Sequence, residues 1–463
     1  MDVDDQGKQR LLCFYGDDFT GSTDAMEALA ANGVRNVLFL EVPSPELLRE
    51  RFSGIRSFGI AGMTRSMSPD RIAATLKPVL EALKPLGFPV VHYKICSTFD
   101  SSAETGSIGR VIDTAREIFS AQRYIPLIAG VPQLGRYTVF GHHFARSGDA
   151  VFRIDRHPTM SCHPITPMEE SDLRLHLQKQ TDASVTLMDI MDLEGTDGEL
   201  QARLEKKLSD APDVVLFDVL DERRLEQAGA LVWKEAADQG GIFVIGSSGV
   251  EYGLTAHWRK NGHTRTERED ARLTTAAPAG QILVASGSCS PVTFAQIRWA
   301  LNHGFAGIKL PVVDLLRPER SEAVVELLVK QAVNIINGGS SLIIYSAEGP
   351  QDPVIEEAKA ELIRQGYAAN DSGRLIGRQL GKISKAVIER TRLTRFVAAG
   401  GDTSGYVTSE FGIYALECLA LICPGGPLCV GYSEHPRFDG LQLSLKGGQV
   451  GPPDYFGRVL EGR

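Results

Sequence analysis

The sequence predicts an α/β protein of two domains, each a mainly parallel sheet flanked by helices. Three observations carry that expectation. Short apolar runs of strand character alternate with amphipathic helical patterns along most of the chain. Loops rich in Gly, Ser, Thr and Asp follow those runs directly, where α/β proteins place ligands. The chain is also 463 residues long, more than one hydrophobic core usually organises.

Leu11–Tyr15 reads as the first strand, and Gly16-Asp-Asp-Phe-Thr-Gly-Ser-Thr-Asp24 as the turn that follows it. A helix with Met26, Leu29 and Ala30 on one face comes next, Gly33 ends it, and Asn36–Leu40 is a second strand. The turn is more polar than a helix start requires. Asp24 with Glu27 has capping-box spacing and can supply the cap, which leaves Asp17 and Asp18 over at a strand's carboxyl end. Ile55–Ala61 is a strand with Arg65 just beyond it, where a guanidinium could fork onto a carboxylate or simply face solvent.

Val90–Ile95 is a strand interrupted by His92 and Lys94, and Cys96-Ser-Thr-Phe-Asp-Ser-Ser follows. The lysine and the hydroxyl-dense loop suit a polyhydroxylated, anionic ligand. Ile108, Val111, Ile112, Ala115, Ile118 and Phe119 then form one helical stripe. After the strand Tyr124–Gly130 come Arg136 and four histidines, His142, His143, His157 and His163. None of these pairs has HxxxH spacing and no cysteine pair assists, so no zinc site is expected. Thr166-Pro-Met-Glu169 reads as a helix start. Gly246-Ser-Ser-Gly249 lacks the spacing of a hydrolase elbow.

The 261–280 stretch is polar and is taken as a linker between domains 1–260 and 281–463. The pattern then restarts. Strands ending near Ala285, Tyr345 and Ala399 each run into a small-residue loop, and a last loop is Lys446-Gly-Gly-Gln-Val-Gly451. Repeated small-residue loops ahead of helices let backbone N–H groups approach phosphate oxygens, which points to a nucleotide. There is no GxxxxGK[ST] and no complete G-x-G-x-x-G, which disfavours P-loop ATPases and Rossmann dehydrogenases.

Composition narrows the class. Hydrophobic residues make up 43% and charged ones 23%, ordinary values for a soluble globular enzyme. A net charge of -9 argues against nucleic-acid or anionic-membrane partners. Seven scattered cysteines without a CxxC fit a reducing compartment, and the cytoplasm is the expectation. The polar, acidic start is unlike a signal peptide. The longest apolar run, Phe411–Cys423, contains Glu417 and is too short to span a bilayer.

Six motifs in order make the chain resemble the four-carbon acid-sugar kinase family over essentially its full length. They are Gly16–Asp24, Lys94–Ser101, His163–Met168, Ser286-Gly-Ser-Cys-Ser290, Gly400-Gly-Asp-Thr-Ser-Gly405 and Pro424-Gly-Gly-Pro427. The resemblance implies an N-terminal acid-sugar domain, a C-terminal nucleotide domain and an active site between them. It implies ATP- and Mg²⁺-dependent phosphorylation of the terminal hydroxyl of a small sugar acid, a tetronate or a relative.

Carried over, Asp18 and Asp17 are the catalytic candidates. Asp18, Arg65, the Lys94-Ile95-Cys96-Ser97 segment, Asp100 and Arg136 would bind the sugar acid, with Arg65 on its carboxylate and Lys94, Ser97 and Asp100 on hydroxyls. Ser286, Ser346, Gly400, Gly401, Asp402, Thr403, Lys446 and Gly447 would bind the nucleotide, with Lys446 neutralising the transferring phosphate. No protein-held metal site is implied, and a homo-oligomer is compatible with the chain.

Departures from the family pattern bear on substrate. Leu134-Gly-Arg-Tyr137 stands where Asn-Gly-Arg-Thr is usual, and Gly106-Ser-Ile-Gly109 where Gly-Asn-Ile-Gly is usual. Lys446-Gly-Gly-Gln-Val-Gly451 replaces Lys-Ser-Gly-Asn-Phe-Gly. The first of these suggests a branched or oxidised acid of oxo-isoapionate type rather than a simple tetronate. Two rival classes remain open at this point. One is a metal-assisted sugar-acid aldolase or dehydratase; the other is a non-catalytic sugar-acid sensor.

Overall fold

The computed structural model describes residues 10–163, 165–264, 275–368 and 371–463, with Asp402 described by its backbone alone. Contacts divide the chain into two compact units, Met1–Asp270 and Ala271–Arg463. Half of the stretch read as a linker, residues 265–274, lies outside the described residues.

In the first unit β1 (Leu12–Gly16), β2 (Asn36–Phe39), β3 (Ser57–Ala61), β4 (Val90–Lys94) and β5 (Ile125–Ile128) come first. A small separate sheet follows, made of β6 (Arg136–Val139), β7 (His142–Ser147) and β8 (Ala150–Arg153). Then come β9 (Val185–Met188), β10 (Val214–Phe217) and β11 (Ile242–Gly246). The main sheet of this unit runs β2-β3-β1-β4-β11-β5-β10-β9, and every pairing is parallel. Parallel strands covered by helices on both faces need unbroken apolar runs, and Val214–Phe217 and Ile242–Ile245 are fully buried throughout. From β1 the chain goes to β2 and β3 on one side and to β4 on the other. That reversal is a switch point, and it opens a crevice at the strands' carboxyl ends.

Two local expectations fail here for physical reasons, and one small sheet goes beyond them. The first helix, Phe19–Ala31, is capped by Asp18, whose side chain accepts the Gly21 N–H; Asp24 lies inside the helix. No helix starts at Thr166. The His163 ring nitrogen takes the Thr166 N–H (3.1 Å), and Met168 is pinned in the core with its N–H on Met160 O (2.9 Å). The helix begins only after the Asp172 cap, at Leu173. The β6–β8 sheet was not foreseen. Its first hairpin turns through Phe140 and Gly141, both at positive φ (51° and 83°), where Asn-Gly is the usual signal. Asp218 holds that turn by accepting both N–H groups.

The second unit comprises β12 (Leu283–Ser286), β13 (Ala306–Lys309), β14 (Leu342–Tyr345), β15 (Arg395–Ala399), β16 (Ile413–Ala420), β17 (Leu428–Ser433) and β18 (Gln442–Lys446). Its order is β13-β14-β12-β15-β18-β17-β16, parallel from β13 to β18 and antiparallel beyond. Ile282, Val284, Ile297, Ile343, Val397, Phe456 and Val459 form the core between this sheet and its helices. Here too the order reverses, between β12 and β15, so a second crevice lies at strand carboxyl ends. Among the described residues no helix is long and apolar enough to cross a membrane.

Candidate active site

Adjacent strands β3, β1 and β4 end side by side, and each delivers one part of a charged cluster. The Asp17 N–H donates to Lys94 O (2.9 Å) and the Arg65 N–H to Asp17 O (3.0 Å), so the three ends are laced together. Arg65 grips both aspartates. Its Nε and Nη2 donate to the Asp17 oxygens at 3.1 and 2.7 Å, and its Nη1 and Nη2 to those of Asp18 at 2.9 and 2.8 Å. Asp18 Oδ1 also takes the Gly21 N–H at 2.7 Å. The helix start therefore accounts for Asp18 as a cap, while Asp17, 4% exposed, is buried beneath it. Burial lifts the Asp17 carboxyl above the usual carboxylate range, and Arg65 opposes the rise.

Lys94 is buried, with Nζ 3.5 Å from Asp24 and donating to Ile95 O at 3.0 Å. Burial alone would depress the ammonium, but Asp24, Asp17 and Asp18 outweigh it and keep it charged. Gly21 sits in the middle. A Cβ there would lie 2.4 Å from Asp18 Oδ1 and 3.1 Å from Lys94 Nζ.

Beyond Lys94 the chain turns away under tight constraint. Ile95 is buried and donates to Gly246 O (2.7 Å), so its contribution is structural backbone. Burial pushes the Cys96 thiol up to about 11, which keeps it protonated at neutral pH. Asp100 accepts from the Thr98 hydroxyl. Ser97 is held through its carbonyl, which takes the Nε2–H of His143 at 2.8 Å. The fully buried His143 is pushed down to about 4 by burial and is neutral, so its Nδ1 accepts from Thr138 (3.2 Å). The small sheet thus braces the loop after β4. Sequence gave no sign of that role, since His143 carries no local motif.

Gly106 closes the same region at φ 63°, and a Cβ there would fall 2.5 Å from the Arg65 carbonyl oxygen. Arg136, at the start of β6, donates through Nη1 to Leu134 O (2.6 Å) and Gly135 O (3.4 Å). The other histidines have separate partners: His142 on Ser171, His157 on the Thr159 and Met160 N–H groups, and His163 on Thr166.

In the second unit a cavity of about 250 Å³ lies at the carboxyl ends of β14, β12 and β15. Gly287, Ser288, Cys289, Ser346, Gly400, Gly401, Thr403 and Gly448 line its polar part. Val312, Val354, Ile355 and Ile376 line an apolar part. Three glycines from three loops meet there. Cβ atoms on Gly287 and Gly400 would come within 2.3 and 2.9 Å of Thr403 Oγ1, and one on Gly448 within 2.6 Å of Ser288 Oγ. The helix Gly401–Glu410 starts at this cavity after Gly400 (φ 125°) with no side-chain cap. Its first N–H groups are therefore turned to whatever enters, an arrangement suited to phosphate.

Not every residue expected here reaches the cavity. Ser286 is fully buried as the last residue of β12, and the lining begins one residue later. Gly448 rather than Gly447 supplies the last loop's contact. Asp402 has no described side chain.

Lys446 is also fully buried. Its ammonium donates to Thr293 Oγ1 (3.1 Å) and lies 5.9 Å from the Tyr455 ring centre. Thr293 in turn donates to Gly448 O (2.7 Å), so the lysine supports the loop from behind. Burial lowers its pKa from 10.5 to about 8. The unfolded chain therefore holds more protons between those values, and stability contributed by this group rises with pH across that window. Urea denaturation of the protein and of Lys446→Met should show the wild type gaining on the variant by about 3 kcal/mol from pH 8 to 10.5.

Residues 12–254 match the family described as "Sugar-binding N-terminal domain", and residues 283–456 the one described as "Nucleotide-binding C-terminal domain". A Paraburkholderia graminis protein named 3-oxo-isoapionate kinase is 47% identical over 455 residues, 98% of this chain and 94% of that one. The chain belongs to the four-carbon acid-sugar kinase family. Membership makes it a kinase and sets aside the aldolase, dehydratase and sensor readings. A second acid-sugar kinase, from Pseudomonas savastanoi pv. phaseolicola and named 3-oxo-tetronate kinase, is 30% identical over 97% of both chains. A solved structure of a Salmonella typhimurium LT2 protein is 27% identical with a TM-score of 0.78, covering 97% of this chain and 98% of that one.

Proposed function

We propose that this protein transfers the γ-phosphate of ATP to a primary hydroxyl of a small, branched 3-oxo sugar acid of the 3-oxo-isoapionate type. The observation that carries the kinase chemistry is the uncapped helix start at Gly400–Gly401, facing a cavity lined by small residues. Phosphoryl transfer needs in-line positioning and charge neutralisation more than covalent chemistry, and backbone N–H groups at a helix start supply both. The apolar part of the cavity suits a nucleobase. The substrate class is supported by the relative at 47% identity and by Leu134 and Tyr137.

On the acid side, Asp18 orients the attacking hydroxyl and accepts its proton. Its side chain is 29% exposed, against 5% for Asp17, and Arg65 fixes its plane. Asp17 is second choice for the base and, being buried, serves chiefly to hold Arg65. Among the described residues no three His, Cys, Asp or Glu side chains gather as a metal cage. Mg²⁺ would come with ATP and would neutralise charge on the transferring group. A cytoplasmic setting fits the seven cysteines, which a reducing compartment keeps as thiols.

ADP release with ATP and Mg²⁺, across tetronates, 3-oxo-tetronates and branched apionate-type acids, tests this reading. The branched 3-oxo acid should give the highest kcat/KM. Preference for an unbranched tetronate would overturn the substrate class, and ADP formation with none of them would overturn the activity.

A further inference from the structure

Among the described residues three non-glycines have positive φ, Phe99, Phe140 and Ala211. Two of them stand at the ends of one run of hydrogen bonds. Phe99 (63°) lies in the loop after β4, and Phe140 (51°) in the β6–β7 turn. A bulky residue keeps that conformation only where its surroundings hold it. The Ser97 carbonyl, in the first of these loops, takes the His143 Nε2–H (2.8 Å). His143 faces Thr138 across the hairpin, Nδ1 to Oγ1 at 3.2 Å, and the turn lies just beyond this pair.

Asp218 anchors the far end. Fully buried just past β10, it turns both carboxylate oxygens to backbone donors. Its Oδ2 accepts from the Phe140 and Ile190 N–H groups, the latter at 3.2 Å, and its Oδ1 from Gly141 at 3.0 Å. The cations around it have other partners. Arg174 is turned onto Asp172 (2.9 and 2.6 Å), and Arg224 onto Asp221, Glu194 and the Ile190 carbonyl. Asp189, beyond β9, accepts the Met191 and Asp192 N–H groups. Burial lifts the Asp218 carboxyl to about 6, the three N–H groups oppose the rise, and Asp189 adds to it. Protonation puts a hydrogen on an oxygen that faces N–H donors. The turn then loses an acceptor where Phe140 is strained.

We propose that Asp218 is a positioning residue for sugar-acid binding: its carboxylate holds the Phe140-Gly141 turn and, through His143, sets where the Ser97 segment stands. The proposal rests on the sugar-acid kinase reading. The small sheet itself has other supports. Thr138 and Val219 exchange N–H···O bonds at 2.9 Å, and the His143 N–H donates to Ser171 O (2.8 Å). Removing the carboxylate therefore loosens the turn and leaves the strands paired.

Steady-state kinetics from pH 5 to 8, at saturating MgATP with 3-oxo-isoapionate and 3-oxo-tetronate as probes, tests this. Wild-type KM for the acid it uses should rise toward about 10-fold as pH falls through 6. Asp218→Asn keeps one acceptor oxygen but aims an NH₂ at the other donors. It should show that KM, raised about 10-fold, already at pH 7.5 and without the pH dependence, with kcat and KM for MgATP near wild type. Adding Phe140→Asn supplies Asn-Gly, which adopts this turn unaided, and should bring KM back to within about 3-fold of wild type. A flat wild-type profile, an unchanged KM in Asp218→Asn, or a double variant no better than the single one would overturn the proposal and leave the kinase activity standing. If wild type turned over neither acid at any pH, the functional reading would fail and the proposal with it.

Discussion

Asp18→Asn is expected to lower kcat by roughly 10²- to 10⁴-fold, the usual worth of a positioned general base. The substitution is informative because Asn caps a helix about as well as Asp. The start of the Phe19–Ala31 helix should therefore survive, and with it the Gly21 N–H contact. What goes is the proton acceptor and half of the anionic surface gripped by Arg65. Thermal denaturation should move little while turnover collapses. Near-full turnover with unchanged KM would show that Asp18 is not the base. Asp17→Asn should have the opposite balance, a larger loss of stability and a smaller loss of kcat, because that carboxylate is buried and carries two of Arg65's contacts.

Lys94→Met should destabilise the fold by about 3–5 kcal/mol near neutral pH, the cost of leaving a buried acid without its cation. Asp24 would be left near Glu251 with no compensating charge of its own. Burial already raises the Asp24 carboxyl, and Lys94 is the main opposing influence. Without the lysine the group should protonate more readily, so the deficit of the variant should shrink as pH falls. The double variant Lys94→Met/Asp24→Asn should recover most of the loss, giving a coupling energy in a double-mutant cycle. Chemical denaturation of the four proteins at two pH values checks this. Additive losses would mean that the two groups do not act as a pair.

The alternation of strands and helices was legible because parallel strands buried on both faces must be continuously apolar, and their helices must be striped. The polar turn after β1 was legible as a site because it held more carboxylates than a cap uses. Which carboxylate caps was not legible, since Asp18 and Asp24 both stand where a helix could begin. The choice is made by Lys94, two strands away in sequence, whose ammonium needs Asp24 inside the helix. The β6–β8 sheet escaped because Phe140 adopts positive φ only with Asp218 holding its turn, a partner nearly eighty residues distant. Lys446 and Ser286 came from the resemblance, which does not show where a side chain points: β18 and β12 end with both side chains buried, and neither lines the cavity.

The most direct test of the central claim is phosphorus NMR of the product formed from ATP, Mg²⁺ and the branched 3-oxo acid. The account predicts ADP together with a phosphomonoester signal coupled to two methylene protons, as expected for phosphate on a primary hydroxyl. Inorganic phosphate alone, or phosphate carried on the carboxylate, would contradict it.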